Sequence, residues 1–461
     1  MAAQQKSLCV NCGPSQLGRI RLSLSGFSFR VAVQSKILGK DKDMDKCEDK
    51  NAVCADKDAE QAGAKLREEL PPPGLQPRVV QQQQNTEGRS ALPPYMLEEL
   101  AKRTHDKIYQ ETLDTNKDLE QQGKFQPRVT SGANGAREVY DAKGKETHPG
   151  DRARFEGEAA TGNTNVDNVY DYTGIVRQFY KEVHGKDSID GNGMKMISTV
   201  NYGDNYQNAF WNGKQMTYGQ PAEKSPFKTF VLLDVTGHEI THGVTQKTGG
   251  VFYWGQAGAL NEHISDVFGE LIQQKHRGQS ADQADWIIGD GIWKDGVKGT
   301  GIRNMLNPGT AYDDPKIGKD PQPAHMKDYV STWKDAGGVH YNSGIPNRAF
   351  ALFAKSVGGN AWETPGKIWY EATQHVGMFP SFASFAALTI DAAKKMGTAQ
   401  DVAKLEQAWA DVGVKPKHGV LDILTPGRPT GKDGKIQTDD DDEEHRNGPL
   451  APPINDLVPS R

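Results

Sequence analysis

The chain has 461 residues, 36% of them apolar, and 55 Lys+Arg against 60 Asp+Glu for a net charge of −5. This balance supplies no global field toward nucleic acid or an anionic membrane surface. No stretch approaches the length of apolar sequence that a membrane-spanning helix needs. The length allows about three domain-sized units, and their character changes along the chain. The first 40 residues hold six basic residues (Lys6, Arg19, Arg21, Arg30, Lys36, Lys40) and no acid. That charge suits a transit peptide. The alternation of Ile20, Leu22 and Leu24, then Phe27, Phe29, Val31 and Val33, about Ser25-Gly26 equally suits a small β-hairpin. All four cysteines are early: Cys9, Cys12, Cys47 and Cys54. The first pair has the spacing of a metal knuckle, but zinc ribbons repeat that spacing and the second pair does not, so the four read as unrelated thiols.

Residues 41–84 are polar and end in Pro71-Pro72-Pro73 and Gln81-Gln82-Gln83-Gln84, a linker by composition. After Pro93-Pro94, apolar residues at Leu97, Leu100, Ile108 and Leu113 among charges predict one or two amphipathic helices over 93–122. The body spans about 135–416. Its first half is rich in Gly, Asn, Tyr and Thr, with strands expected at 195–201 and 215–218; its second half carries helical patterns at 264–274, 345–356 and 381–396. A β-rich half followed by a helical half predicts an α+β fold. The division expected is a low-complexity extension over 1–90, a helical segment over 91–134, lobes over 135–245 and 246–416, and a tail over 417–461. That tail has six prolines and the acidic run Asp439 to Glu444, and reads as solvated.

At the join of the halves stands His238-Glu239-Ile240-Thr241-His242. On a helix, residues four apart share a face, so both imidazoles can reach one metal ion while Glu239, rotated about 100°, stands beside it as a proton acceptor for water. A catalytic zinc needs a third protein ligand and an open position. Glu262 follows after nineteen intervening residues, and Gly249-Gly250 allows the chain to return beside the first helix. Asp266, four residues beyond Glu262 and on its face, is placed to accept the second ring N–H of His238. A third cluster, Asp335 to Gly344, offers His340, held by Asp335, as a donor for a developing oxyanion.

With these motifs in view, residues 135–415 resemble the thermolysin family of zinc metallopeptidases, the gluzincins whose third ligand is Glu. The resemblance rests on His238-Glu239-x-x-His242, Asn261-Glu262-x-x-x-Asp266, Gly337-Gly338-Val339-His340-x-Asn342-Ser343-Gly344 and Asn208-Ala209-Phe210-Trp211-Asn212-Gly213. It implies a two-lobed catalytic domain with the zinc helix between the lobes. It implies one zinc on His238, His242 and Glu262, with Asp266 and Asn261 behind the ligands, and Glu239 as general base. Tyr253 and His340 would stabilise the oxyanion, with Asp335 orienting His340. Asn208 and Ala209 would bind the substrate backbone, and Arg303 would contact the residue after the scissile bond. Val235 and Ile302 match an apolar pocket, which implies cleavage on the amino side of bulky apolar residues.

Tyr95-Met96-Leu97 after Pro93-Pro94 further resembles the short propeptide of the protealysin-like branch. The expectation is a self-processed precursor in which that apolar segment occupies the substrate site. Asp234, Asp285 and Asp290 match a calcium site near the zinc helix, but Gln273 and Ile287 stand where the family has carboxylates, so at most one calcium is expected. The partners expected are peptide substrates and the chain's own propeptide, with no nucleic acid and no membrane, acting as a monomer. Without a secretory signal, a cytoplasmic or non-classically secreted location is expected. The rival readings are an inert zinc-bearing scaffold and an aminopeptidase. The first would be expected to lose Glu239, and the second needs an acidic anchor that the sequence does not display. His263, inside the second motif, has no role in this reading.

Overall fold

The computed structural model describes residues 18–24, 27–33, 89–122 and 136–418. The cysteines, the polar linker and the acidic tail lie outside the described residues. The chain divides into two units at Pro72/Pro73. In the first, β1 (Gly18–Leu24) and β2 (Phe27–Val33) pair antiparallel with Leu24 opposite Phe27, the hairpin expected from the alternation.

The second unit opens with β3 (Arg89–Ser90), so ordered structure begins before the expected boundary at residue 91. Two helices follow, α1 (Pro94–Thr104) and α2 (Lys107–Gln122). Pro94 stands in the first turn of α1, where its missing N–H costs nothing. His105, in the left-handed region at φ 56°, ends the helix. Next come β4 (Arg137–Asp141), β5 (Asp151–Phe155), α3 (Thr164–His184), β6 (Met196–Tyr202), β7 (Ala209–Trp211) and β8 (Met216–Gly219). The strands form one six-stranded sheet in the order β3-β7-β8-β6-β4-β5. β6 is parallel to both β4 and β8, and the other neighbours are antiparallel. Helix α3, capped by the Asn163 side chain, buries Val166, Val169, Val176 and Phe179.

Two long helices come next, α4 (Leu233–Thr248) and α5 (Gly255–Arg277). Every residue of α4 from Leu233 to Thr245 is buried, its polar side chains included. The two helices approach closely because Gly237 and Gly269 meet. A Cβ on Gly269 would lie 2.6 Å from the Asp234 carbonyl oxygen, and one on Gly237 would lie 3.1 Å from the Gly269 Cα. That approach brings the two halves of the metal motif together. Strands β9 (Ile287–Ile288) and β10 (Arg303–Asn304) pair antiparallel and carry Arg303 inward.

After a short antiparallel pair, β11 (Asp313–Asp314) with β12 (Gly318–Lys319), come the helices α6 (Lys334–Asn342), α7 (Gly344–Val357), α8 (Thr364–His375), α9 (Phe382–Met396) and α10 (Ala399–Asp411). α9 and α10 each begin with reciprocal side-chain caps, Ser381 with Ser384 and Thr398 with Asp401. Trp369 and Trp409 stack with ring centroids 5.9 Å apart in the core they share. No helix among the described residues is long and apolar enough to cross a membrane.

Candidate active site

His238 and His242 lie one turn apart on α4 and Glu262 lies on α5, and all three are fully buried. His238 Nδ1–H donates to Asp266 Oδ1 at 2.8 Å. His242 Nδ1–H donates to Asn261 Oδ1 at 2.7 Å, with Ser265 Oγ 3.0 Å from the same nitrogen. With both Nδ1 protons committed outward, the two Nε2 atoms face each other at 3.1 Å. Glu262 lies 3.3 Å from each of them. Two ring nitrogens and a carboxylate converging on one point need a cation or a proton among them, and a set of two His and one Glu suits zinc. Among the described residues this is the one group of three or more metal-ligating side chains close enough to share an ion. The residues therefore fit the metal.

Glu239 points beside this point, not into it. Its Oε2 accepts the Trp211 backbone N–H at 2.9 Å, and its Oε1 is buried with no hydrogen-bond partner. Burial pushes Glu239 up to about 8, the range of a proton carrier at neutral pH. Tyr253 donates from its hydroxyl to Glu262 Oε1 at 2.5 Å and lies 3.5 Å from His340 Nε2. His340 Nδ1 donates to Asp335 Oδ1 at 2.6 Å, and the His340 backbone N–H donates to Asp335 Oδ2. Burial disfavours charge on His340, but the Glu262 and Asp335 carboxylates outweigh it and raise the imidazole to about 8. The chain reaches His340 through four consecutive left-handed residues, Asp335 (φ 54°), Ala336 (φ 46°), Gly337 (φ 80°) and Gly338 (φ 83°). Two of them are not glycine, a strained conformation of the kind held at functional sites.

The cleft along β7 holds part of the chain itself. Ala91 N–H donates to the Ala209 carbonyl at 2.9 Å, and Leu92 N–H donates to Asn208 Oδ1 at 2.8 Å. Asn208 Nδ2 donates back to the Leu92 carbonyl at 3.2 Å. Arg303 Nη1 donates to the Ala91 carbonyl at 3.3 Å, and its Nε and Nη2 grip Asp266. The occupant thus differs from the expected one. Ala91 and Leu92 lie against the residues expected to bind substrate, while Tyr95 packs on Tyr341 at 4.3 Å between centroids and Met96 and Leu97 enter the core. Extended backbone is what an edge strand can pair with, and Tyr95 to Leu97 are already helical.

Val235 and Ile302 are both buried. The expected calcium ligands are not gathered as a metal set. Asp234 accepts N–H groups of Val235 and Gly289 with its two oxygens, and burial pushes it up to about 6. Arg277 donates to Asp290 at 3.0 Å and lies 3.9 Å from Asp285. Nearby Glu270 is buried, and desolvation pushes it up to about 8. The sequence reading passed over the Trp211 N–H on Glu239, Ser265 beside His242, and Asn347, whose Nδ2 donates to Asp266 Oδ2 at 2.8 Å. None has a local pattern to announce it.

Comparison with known proteins agrees with this geometry. The model of the thermolysin metallopeptidase catalytic domain matches residues 95–246, and that of the thermolysin metallopeptidase alpha-helical domain matches residues 249–414. The chain is 45% identical over 289 residues to an extracellular metalloprotease of Pectobacterium carotovorum subsp. carotovorum, covering 62% of this chain and 83% of that one. It is 38% identical over 253 residues to the thermostable neutral protease NprT of Geobacillus stearothermophilus, covering 53% and 44%. Among solved structures, the precursor of protealysin, a metalloproteinase from Serratia proteamaculans, superposes with a TM-score of 0.65 at 43% identity, covering 71% of this chain and 99% of that one. A buried His-His-Glu set on two close-packed helices, a desolvated Glu beside it, and matches across both lobes leave no room for an inert scaffold: the chain belongs to the thermolysin family of metallopeptidases and is a metalloendopeptidase.

Proposed function

We propose that this protein is a zinc endopeptidase that cleaves on the amino side of bulky apolar residues and is made as a precursor whose residues 89–122 fill its own cleft. His238, His242 and Glu262 hold the ion. Zinc, when bound, lowers the pKa of water toward neutrality and polarises the peptide carbonyl. Glu239, whose Oε1 is buried without a hydrogen-bond partner and stands beside the three ligands, takes a proton from the attacking water and delivers it to the leaving amine. His340 donates from Nε2 when charged, because its Nδ1 proton is held by the acceptor-only carboxylate of Asp335. The Tyr253 hydroxyl, whose one proton here goes to Glu262 Oε1, joins it on the oxyanion once that carboxylate ligates the ion. Asn208, Ala209 and Arg303 fix the substrate backbone, and Val235 and Ile302 supply apolar surface for the side chain after the scissile bond.

The single observation that carries the precursor reading is the seat of Ala91 and Leu92. Asn208, Ala209 and Arg303 spend on these two residues the hydrogen bonds that a substrate would need. Calcium has no part in the proposal, because Arg277 already supplies positive charge to Asp285 and Asp290.

The test is incubation of the purified chain beside Glu239→Gln, with sequencing of new amino termini and measurement of zinc content. A cut between 122 and 137 in the parent, none in the variant, and one zinc in each are expected. Equal processing in both would remove self-cleavage from the account, and a parent without zinc would remove the mechanism.

A further inference from the structure

Behind the site runs a line of buried hydrogen bonds that the mechanism above leaves unused. Trp369 Nε1–H donates to His263 Nε2 at 2.8 Å. His263 Nδ1–H donates to Asn347 Oδ1 at 2.8 Å. Asn347 Nδ2 donates to Asp266 Oδ2 at 2.8 Å. All four side chains are fully buried. An indole N–H only donates and an ionised carboxylate only accepts. The two ends of the line therefore dictate its middle: His263 must carry its proton on Nδ1, and the Asn347 amide must turn its nitrogen toward Asp266. No other tautomer or amide orientation satisfies every atom.

At its far end the line meets a carboxylate with two duties. Asp266 Oδ1 accepts from His238 Nδ1 and from Arg303 Nη2 at 2.7 Å, while Oδ2 accepts from Arg303 Nε at 2.8 Å and from Asn347. The Arg303 fork alone leaves Asp266 free to pivot together with the guanidinium, which would carry the acceptor away from His238. Asn347, on another helix, anchors Oδ2 against that pivot, and His263 keeps Asn347 from turning over. We infer that His263 is a positioning residue, which acts through Asn347 to hold the Asp266 carboxylate in the rotation that serves His238 and Arg303 at once. The inference rests on the proposed reading that His238 ligates zinc. A residue present only to fill the core would stabilise the fold without affecting either partner of Asp266.

The test compares His263→Leu with His263→Gln in the full chain, measuring zinc affinity by competition with a chromophoric chelator, and kcat and KM separately after maturation. The Gln amide carries one acceptor and one donor, as the neutral imidazole does, and Leu carries neither. Loss of an outer-shell orienting group predicts a zinc affinity about tenfold weaker for His263→Leu, with a higher KM from the loosened Arg303, and a loss below about threefold for His263→Gln. Should His263→Leu fail to fold, Trp369→Phe removes the donor that sets the tautomer and is expected to weaken zinc in the same direction. Zinc affinity, kcat and KM all at parental values in a His263→Leu protein that merely melts earlier would overturn the inference. So would equal losses in the Leu and Gln variants. A parent that binds no zinc would overturn the functional reading instead, and is recognised by the absence of any competition.

Discussion

Arg303 binds Asp266 through two parallel hydrogen bonds, at 2.8 and 2.7 Å, while its remaining nitrogen reaches the Ala91 carbonyl in the cleft. One buried guanidinium thus joins the support of the His238 acceptor to a hold on the segment seated beside β7. Lysine cannot reproduce this, since a point charge lacks the planar fork. Arg303→Lys is expected to lower kcat/KM of the matured enzyme by about 10–100-fold, an effect of about 1.4–3 kcal/mol. Steady-state kinetics on an apolar-containing peptide check this, and an unchanged kcat/KM would contradict the assigned grip.

The inhibitory seat makes a second prediction. Leu92 is fully buried and bonded to Asn208 through both backbone groups. Leu92→Asp places an unpaired carboxylate there, at a cost of a few kcal/mol, and so releases the segment. Precursor carrying it is expected to mature at least about tenfold faster. Time courses of new amino-terminus formation read the rate directly. Maturation at the parental rate would mean that Leu92 does not hold the cleft shut.

Stability should depend on pH through Glu270. Burial raises its folded-state pKa to about 8, above its ordinary value of 4.5. From pH 4.5 upward the unfolded chain has released this proton while the folded chain keeps it, so the contribution of Glu270 is complete below 4.5 and is lost as pH rises through 8. Glu270→Gln keeps the shape and removes the ionisation. Its melting temperature is expected to exceed that of the parent by about 3–5 °C at pH 8 and to match it at pH 4.5. A gain of the same size at both pH values would point to packing instead.

A fourth prediction separates Arg277 from calcium. Because Arg277 stands between Asp285 and Asp290, a calcium-selective chelator is expected to leave the melting temperature within about 1 °C, while Arg277→Ala lowers it by about 2–4 °C. A zinc-selective chelator, by contrast, is expected to lower the melting temperature and abolish cleavage, since it uncovers the confronted Nε2 pair. Melting curves with each chelator distinguish these outcomes.

The parts of the site that could be read from the chain are those whose partners sit at fixed offsets on a helix: His238 with His242, and Glu262 with Asp266. Helices α7 and α9 and strands β6 and β8 likewise fall close to where their apolar runs and periodicity place them. What escaped the reading depends on contacts between distant segments. Trp211 reaches Glu239 through a backbone N–H, a group that every residue other than proline possesses. His263 meets Asn347 and Trp369 across 84 and 106 positions, and nothing in their neighbourhoods marks them as a set. Apolar bulk points to Tyr95-Met96-Leu97 as the cleft occupant, whereas Ala91 and Leu92, just before Pro93-Pro94, take the seat because their backbone groups are free to bond Asn208, Ala209 and Arg303.

Strand β3 is one of the two edge strands of the sheet, and it belongs to the segment that maturation would remove. Its departure turns β7 into a bare rim of amide and carbonyl groups, open to any polypeptide that arrives unfolded. In the precursor β3 occupies that rim, so the edge that would receive a substrate is closed to other chains until the segment is cut away.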